Sequence, residues 1–379
     1  MRTRRMVIAA SLTVALIVVA GISSAAAKPP PGHGPGKKSH GTATMSVFAS
    51  GFNNPRGLTF GPDGNLYVAE GGLGGSTSTV GQCTQASGAA APYLGSTNDP
   101  VRGGRISKVT PAGAVSTVVG ALPSSQTSAA IGSLVSGVSS VAFIGNQLYA
   151  LLAGAGCSHG VPTVPNGVIK VNAGGTWSMI ANLSAFQAAH PVAQPDPADF
   201  EPDGTWYSMI AYKGALYPMD SNHGELDRVT PAGAISRVID ISAKVGHVVP
   251  TALVHHGITY IANLGVFGPA DGTVPNESVW SLRPNGKLKL RATGLEQVLG
   301  LAYRGGKLYA LEMSSTPGGP TPGTGKIVRV RAGHPAETVI SGLVFPTGMT
   351  NGPDGAFYVS ERGFGFPAGM GRVLRISID

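Results

Sequence analysis

One position in this 379-residue chain keeps returning with an oxygen-bearing side chain. Glu70, Asp220, Asn263, Glu312 and Glu361 each stand three residues after a tyrosine, at the end of a short apolar run; Leu152 occupies the sixth copy. Acids are scarce here, since only 12% of residues are charged. Hard cations such as Ca²⁺ take carboxylate and amide oxygens, so strand ends of this kind, gathered around an axis, would make a cation or ligand site. The same oxygens could instead accept backbone amides of a neighbouring loop, and repetition in every unit is what such a lock predicts. No lysine or arginine is expected at matching positions to pair with them. Asp220-Ser221-Asn222-His223 is the most polar cluster, and His223 within reach of Asp220 is the candidate general base. A surface histidine in a tight turn is the plainer reading.

Other chemistry is excluded by pattern. His247, His255 and His256 read as residues before or within a turn, and neither HExxH nor paired CxxC is present. Residues 190–203 concentrate Asp196, Asp199, Glu201 and Asp203, but their prolines break the ligand ladder of a calcium loop, so a solvated acidic loop is expected, with a cation site as the alternative. Gly363-Phe364-Gly365 precedes a strand instead of a helix and holds Pro367, which rules out a dinucleotide fingerprint. No GxSxG elbow occurs. Gly32 to Ser39 imitates a phosphate loop but carries Lys38 where serine or threonine is required.

The elements that would position these residues form a repeat. Tyr67, Tyr149, Tyr217, Tyr260, Tyr309 and Tyr358 each follow a turn and sit in an apolar strand; the last intervals are 49 residues, and the earlier ones are 82, 68 and 43. Strand-like units at this period indicate a propeller. Inner strands are expected at 55–60, 139–144, 206–212, 250–255, 298–303 and 346–351. Third strands are expected at 104–109, 167–171, 224–229, 278–282, 325–330 and 371–376. Gly61-Pro62-Asp63-Gly64 and Gly352-Pro353-Asp354-Gly355 are turn signals with a mechanism. The sixth unit ends after its third strand, while Met45 to Ser50 reads as an orphan outer strand. The fold class is therefore all-β, a six-bladed β-propeller closed by an N-terminal strand pairing with the last blade. The loops after the second strands are the long ones (71–103, 153–166, 264–277, 313–325 and 362–370), and they should share one face.

The ends of the chain carry other signals. Residues 1–27 combine Arg2, Arg4 and Arg5, an apolar run from Met6 to Ile22 and Ala25-Ala26-Ala27, the pattern of a cleaved signal peptide. Residues 28–44 are a Pro/Gly/Lys/His leader with nothing to bury, which leaves 45–379 for the propeller. Without the six terminal cations, 21 Lys and Arg face 19 acids, so no electrostatic footprint for nucleic acid remains. Two cysteines in an exported chain suggest one disulfide, Cys83 with Cys157. A secreted monomer, with no membrane contact after cleavage, is expected.

The segment FNNPRGLTFGPDGNLYVAEGG, followed by GGRISKVTPAG, resembles the ScyD/ScyE family of secreted propeller proteins over about Val47 to Ile378. That family is similar in turn to a wider six-bladed group of NHL-repeat proteins, gluconolactonase-like hydrolases and quinone-dependent sugar dehydrogenases. The resemblance implies the fold and no established reaction. Two functions follow as expectations. One is a binding or scaffold propeller that takes a small molecule, glycan or peptide at the long-loop channel mouth through Glu70, Asp220, Asn222, His223, Asn263, Glu312 and Glu361. The other is a cation- or quinone-dependent enzyme of the lactonase or sugar-dehydrogenase type.

Overall fold

Short runs of Val, Ile, Leu and Tyr between Gly- and Pro-rich turns can bury only a strand's width of surface at a time, and they fold as antiparallel ladders. The structure is a computed structural model that describes residues 43–82, 93–127, 135–195, 201–265, 277–315 and 320–378. Six four-stranded sheets form the blades. From the inner strand outward, the first blade is Pro55–Phe60, Leu66–Glu70, Gly104–Val109 and Val115–Leu122. The second is Val138–Ile144, Gln147–Leu152, Gly167–Val171 and Trp177–Asn182. Trp206–Tyr212, Ala215–Asp220, Glu225–Val229 and Ile235–Asp240 make the third. The fourth is Pro250–His256, Ile258–Asn263, Ser278–Leu282 and Leu288–Thr293. Val298–Arg304, Lys307–Glu312, Gly325–Val330 and Glu337–Leu343 follow as the fifth.

The sixth blade joins the two ends of the propeller. Gly348–Asn351, Phe357–Glu361 and Gly371–Ile378 are completed by Ala43–Phe52, which pairs antiparallel with Gly371–Ile378 from Ala43 opposite Ile378 to Phe52 opposite Gly371. Closure leaves no blade with an open side in the ring. The closing strand is longer than the sequence pattern suggests and begins inside the expected leader. Residues 1–42, including the expected signal peptide, lie outside the described residues. Cys83 of the expected disulfide does too.

The core is divided into six wedges, one at each blade junction. Ile106 and Val119 of the first blade pack against Val141, Leu152 and Ile169 of the second; Phe52, Val68 and Tyr358 fill the junction of the sixth and first. The recurrent tyrosines belong to these wedges. The ring of Tyr67 meets Phe143 of the next blade edge-on at 4.9 Å, and Tyr358 meets Phe60 in the same way. Their hydroxyls donate to the turn aspartates, Tyr67 to Asp63 at 3.0 Å and Tyr358 to Asp354 at 3.2 Å. A Cβ on Gly61 or Gly352 would stand 2.6 or 2.3 Å from those rings, which is why the turn opens with glycine.

Around the axis the inner strands crowd. The third residue of each is small: Gly57, Ser140, Ser208, Ala252, Gly300 and Gly348 in blade order, counting the sixth from Pro346. A Cβ on Gly348 would be 2.6 Å from the Arg56 carbonyl. Before this position the first five blades each carry an irregularity in register, the bulge that re-aims a side chain and increases local twist. Helix is confined to Leu183–Ala189, Ser242–Val245 and short 3-10 turns among the described residues. The first long loop contributes a small extra sheet, Leu94–Ser96 against Ser124–Gln126.

Deleting residues 28–51 removes nearly all of the closing strand and should abolish cooperative unfolding, whereas deleting 28–42 should leave the melting temperature unchanged. Equal melting temperatures for the two truncations would show that closure does not hold the ring.

Candidate functional site

Each second strand ends at the long-loop face, where its last side chain meets the chain entering the same blade. Glu70 Oε2 accepts the Asn53 amide at 2.6 Å, and Glu361 Oε1 accepts that of Val344 at 2.7 Å. Asp220 Oδ1 accepts from Thr205 N at 3.1 Å and Asn222 N at 2.9 Å. Asn263 receives Ser278 N at 2.7 Å and donates to the Val248 carbonyl at 2.8 Å. In the second blade, where Leu152 cannot do this, Asn166 takes over: its Oδ1 accepts Ala155 N and its Nδ2 donates to Gly204 O. All five strand-end residues are buried, Glu312 at 1% exposure and the other four at 0%.

The carboxylates also have cationic partners that the sequence reading did not anticipate. Arg105, Lys326 and Arg372 lie directly opposite Glu70, Glu312 and Glu361 in the ladders. Arg105 Nε stands 2.7 Å from Glu70, Lys326 Nζ stands 3.1 Å from Glu312, and Arg372 Nε is paired with Glu361. The signal was present as Gly-Arg or Gly-Lys opening three of the third strands. Burial pushes the Glu312 carboxyl up to about 7 despite Lys326.

These oxygens therefore stay one per blade, each engaged by its own loop. Among the described residues, no group of three or more His, Cys, Asp or Glu is arranged to hold a metal ion. The strand-end set does not fit a shared Ca²⁺, because the lone pairs such an ion would need already accept backbone amides and cations.

The third blade differs. Glu225 stands opposite Asp220, where the first, fifth and sixth blades place a cation, and Arg237 Nε from the outer strand pairs with Glu225 instead. His223, which the sequence placed at the surface, is buried with Nδ1 at 2.7 Å from Asp220 Oδ2. Asn222 Nδ2 donates to the Glu201 carbonyl at 3.0 Å. Asp227 is buried beside this group, with the Trp206 indole as its neighbouring donor. Burial, then the charges of Glu225 and Asp220, push Asp227 up to about 8. Burial, then Asp220, pushes Glu225 up to about 7.

The acidic segment is likewise not a solvated loop where it is described. Asp203 Oδ2 accepts Ser158 N and Oγ, both at 2.7 Å, and Glu201 is buried with Oε1 at 3.7 Å from His159 Nε2. His159 stacks on Tyr93 at 4.5 Å, and its Nδ1 lies 2.8 Å from Ser125 Oγ. Burial lowers its pKa to about 4, so the ring is neutral. Ser125, His159 and Glu201 have the types of a nucleophile, base and orienting acid, but Ser125 and His159 are fully enclosed. They join loops of three blades and present no reacting atom. Asp196 and Asp199 lie outside the described residues.

The axis holds the open space. A cavity of about 410 Å³ is walled by the inner strands of all six blades. At the long-loop end it is bridged: Tyr207 of the third blade donates to the Thr347 carbonyl of the sixth at 2.8 Å. Beside it, buried Arg56 donates to the carbonyls of Gly363 and Val135. Hydroxyls of Thr59, Ser140, Tyr207, Ser208 and Thr350 belong to the lining residues, as do Asn351 and His255. His255 was read as a turn residue. It is the penultimate residue of the fourth inner strand, its ring centroid lies 3.7 Å from that of Tyr212 at a tilt of 32°, and burial lowers its pKa.

No family model matches the chain, and no curated protein does. Solved structures share the fold. A putative oxidoreductase (glucose dehydrogenase) from Thermus thermophilus aligns with a TM-score of 0.54 at 16% identity, covering 89% of this chain and 100% of that one. The PQQ-bound aldose sugar dehydrogenase of Streptomyces coelicolor aligns at 0.54 and 12%, covering 89% and 99%. A gluconolactonase from Xanthomonas campestris aligns at 0.51 and 10%, covering 90% and 91%. At these identities the likeness establishes a six-bladed β-propeller with neighbours in the gluconolactonase and sugar-dehydrogenase group.

One set of thermal melts tests both the locks and the buried acids. Glu361→Gln should lose about 1–3 kcal/mol, because the Val344 amide and Arg372 keep only a neutral partner. The loss should be the same with calcium or chelator, and a loss seen only with calcium would restore the cation reading. For Asp227 the folded pKa is raised from an ordinary value of about 3.9 to about 8. Its contribution is complete below about pH 4 and is lost as pH rises through about 8. The wild-type melting temperature should thus fall between about pH 4 and about pH 8, and that of Asp227→Asn should fall less; parallel curves would show that Asp227 does not titrate there.

Proposed function

We propose that the axial channel is the ligand site and that it receives a small, uncharged, polyhydroxylated molecule, a sugar or sugar lactone. The observation that carries this reading is the lining: about 410 Å³ walled by six inner strands, with hydroxyls, one amide, one histidine of lowered pKa and no Lys, Arg, Asp or Glu. A volume of that order suits one compact ligand, and a neutral wall favours neutral hydroxyls over an ion. The expected mouth at the long-loop face is bridged by Tyr207 and Arg56, so the ligand sits below that bridge. Glu70, Asp220, Asn222, His223, Asn263, Glu312 and Glu361 then act as the frame of the channel and do not touch the ligand.

A catalytic version of the same reading is favoured by the neighbours, which include gluconolactonase and sugar-dehydrogenase propellers. The residues do not fit the quinone of such an enzyme. PQQ is a tricarboxylate and needs several cations, whereas no Lys or Arg is among the residues lining the channel, and Arg56 beside it already donates to protein carbonyls. His255 is the lining side chain that can move a proton near neutral pH.

Saturation-transfer NMR with neutral monosaccharides and δ-lactones tests the site. At least one should show transfer with wild type and lose it with Thr350→Val combined with His255→Gln, at unchanged melting temperature. Absence of transfer from every neutral compound overturns the reading. Appearance of the free acid or an oxidised sugar would select catalysis over binding.

We also propose that the chain is an exported monomer related to the ScyD/ScyE group, supported by its basic, apolar and small-residue N-terminal pattern and by its blade motif. Mass analysis of the protein recovered from the medium should give a chain beginning after Ala27 with Cys83 bridged to Cys157. Retention of residues 1–27, or two alkylatable thiols, would contradict it.

A further inference from the structure

Opposite the long loops, the face carrying the short turns holds a second cavity, of about 310 Å³, between the fourth and fifth blades. Its walls come from four places. Tyr260 lies in the second strand and Arg291 in the outer strand of the fourth blade; Tyr303 and Lys307 flank the first turn of the fifth, and Arg329 and Arg331 approach its last turn. His334 completes the rim.

The charge there is unlike that of the rest of the molecule. Nine of the 27 Lys and Arg lie in residues 283–331, against two acids, Glu296 and Glu312. Glu312 is at the other face with Lys326. Around the cavity, Arg329 Nη1 has a carboxylate, Glu337, at 3.7 Å. No ion pair joins Arg291, Lys307 or Arg331 among the described residues. Arg291 uses Nε on Ser281 Oγ at 2.8 Å, which fixes the plane of its guanidinium. Cations held around one small cavity repel each other, and the repulsion is relieved when an anion enters. Guanidinium forks match the paired oxygens of carboxylate, sulfate and phosphate groups.

The aromatic wall adds a second preference. Tyr303 is stacked on His256 at 4.1 Å and 15°, and lies near-parallel to Tyr260 at 6.1 Å and 18°. A fixed wall of phenol rings offers apolar contact to a ring-bearing ligand and nothing to a bare ion. We propose that this cavity binds an anionic saccharide: its sulfate, phosphate or carboxylate oxygens would be held by Arg291, Lys307 and Arg331, and its sugar ring would lie against Tyr260 and Tyr303. This site is separate from the axial channel and takes the opposite charge class of sugar.

The test is titration calorimetry of the full chain with a sulfated disaccharide, its unsulfated form, inorganic sulfate and a short single-stranded DNA. The sulfated disaccharide should bind, and binding should weaken at least tenfold in Arg291→Gln combined with Arg331→Gln, with unchanged melting temperature. Raising the salt should weaken it further. The unsulfated form should not bind at this site, and neutral ligands of the channel should be unaffected by the double variant. Undiminished binding in that variant overturns the proposal, as does no binding of the sulfated sugar by wild type. Inorganic sulfate binding as tightly as the disaccharide, or DNA binding more tightly, overturns the saccharide assignment. Should the double variant melt early, Lys307→Gln alone, at the exposed turn, is expected to weaken the sulfated sugar severalfold and decides the matter in its place.

Discussion

Crowding at the axis is the constraint from which the remainder of the molecule follows. Six strands converge there, and a Cβ on Gly57 would already stand 2.9 Å from the Ser139 carbonyl of the next blade. Small residues let the strands approach, and hydroxyls one position earlier use the closeness. Ser139 Oγ donates to the Trp206 carbonyl at 2.7 Å, Thr251 Oγ1 to that of Val298 at 2.5 Å and Thr347 Oγ1 to that of Pro55 at 2.6 Å. Each bond runs from one blade to the first residue of the following one. Alternate blades thus tie the ring internally; of the other three, Arg56 and Tyr207 reach further and bridge the channel end, and Leu299 makes no such bond.

Backbone geometry at the same end shows how tightly the entry to each blade is held. Asn54, Val249, Gln297 and Phe345 precede four of the inner strands with φ between 44° and 53°, a region costly for a β-branched or bulky residue. Their carbonyls are engaged: Gly71 N donates to Asn54 O, Leu264 N to Val249 O, Met313 N to Gln297 O and Gly363 N to Phe345 O. The strand-end carboxylates bind amides of the same connections. Strain of this kind persists only where surrounding contacts over-determine it, and the buried acids supply those contacts. Glu70, Glu312 and Glu361 consequently cannot serve a ligand without releasing the chain they hold.

Charge is distributed accordingly. At the long-loop end, acids are buried and neutralised locally by Arg105, Lys326 and Arg372, and Asp227 lies among acids and is held toward its protonated form. The channel wall is uncharged. The outer groove between the fourth and fifth blades pairs Arg329 with Glu337, while Arg291, Lys307 and Arg331 have no ion pair among the described residues. A chain with few charged residues thus places buried structural pairs at the long-loop end and a cationic cavity on the other face.

The amino-acid sequence by itself determined the blades. Tyrosine strands, Pro-Asp-Gly turns and the orphan strand near residue 45 are local patterns with a fixed periodicity, so strand type, blade number and ring closure could be read from it, the closing strand running only a few residues longer than its pattern. It also marked Glu70, Asp220, Asn263, Glu312 and Glu361 as equivalent. Their partners were decided in three dimensions. A carboxylate looks the same in sequence whether it faces a cation, a loop amide or another acid, and Asn53, Arg105 and Glu225 become partners only through the register in which the strands pair. His223 and His255 exchanged expectations for the same reason: burial depends on how neighbouring blades close over a turn, and no residue carries that information alone. The channel is lined by residues hundreds of positions apart and the cationic groove by residues of two successive blades, so only the tertiary structure could define them.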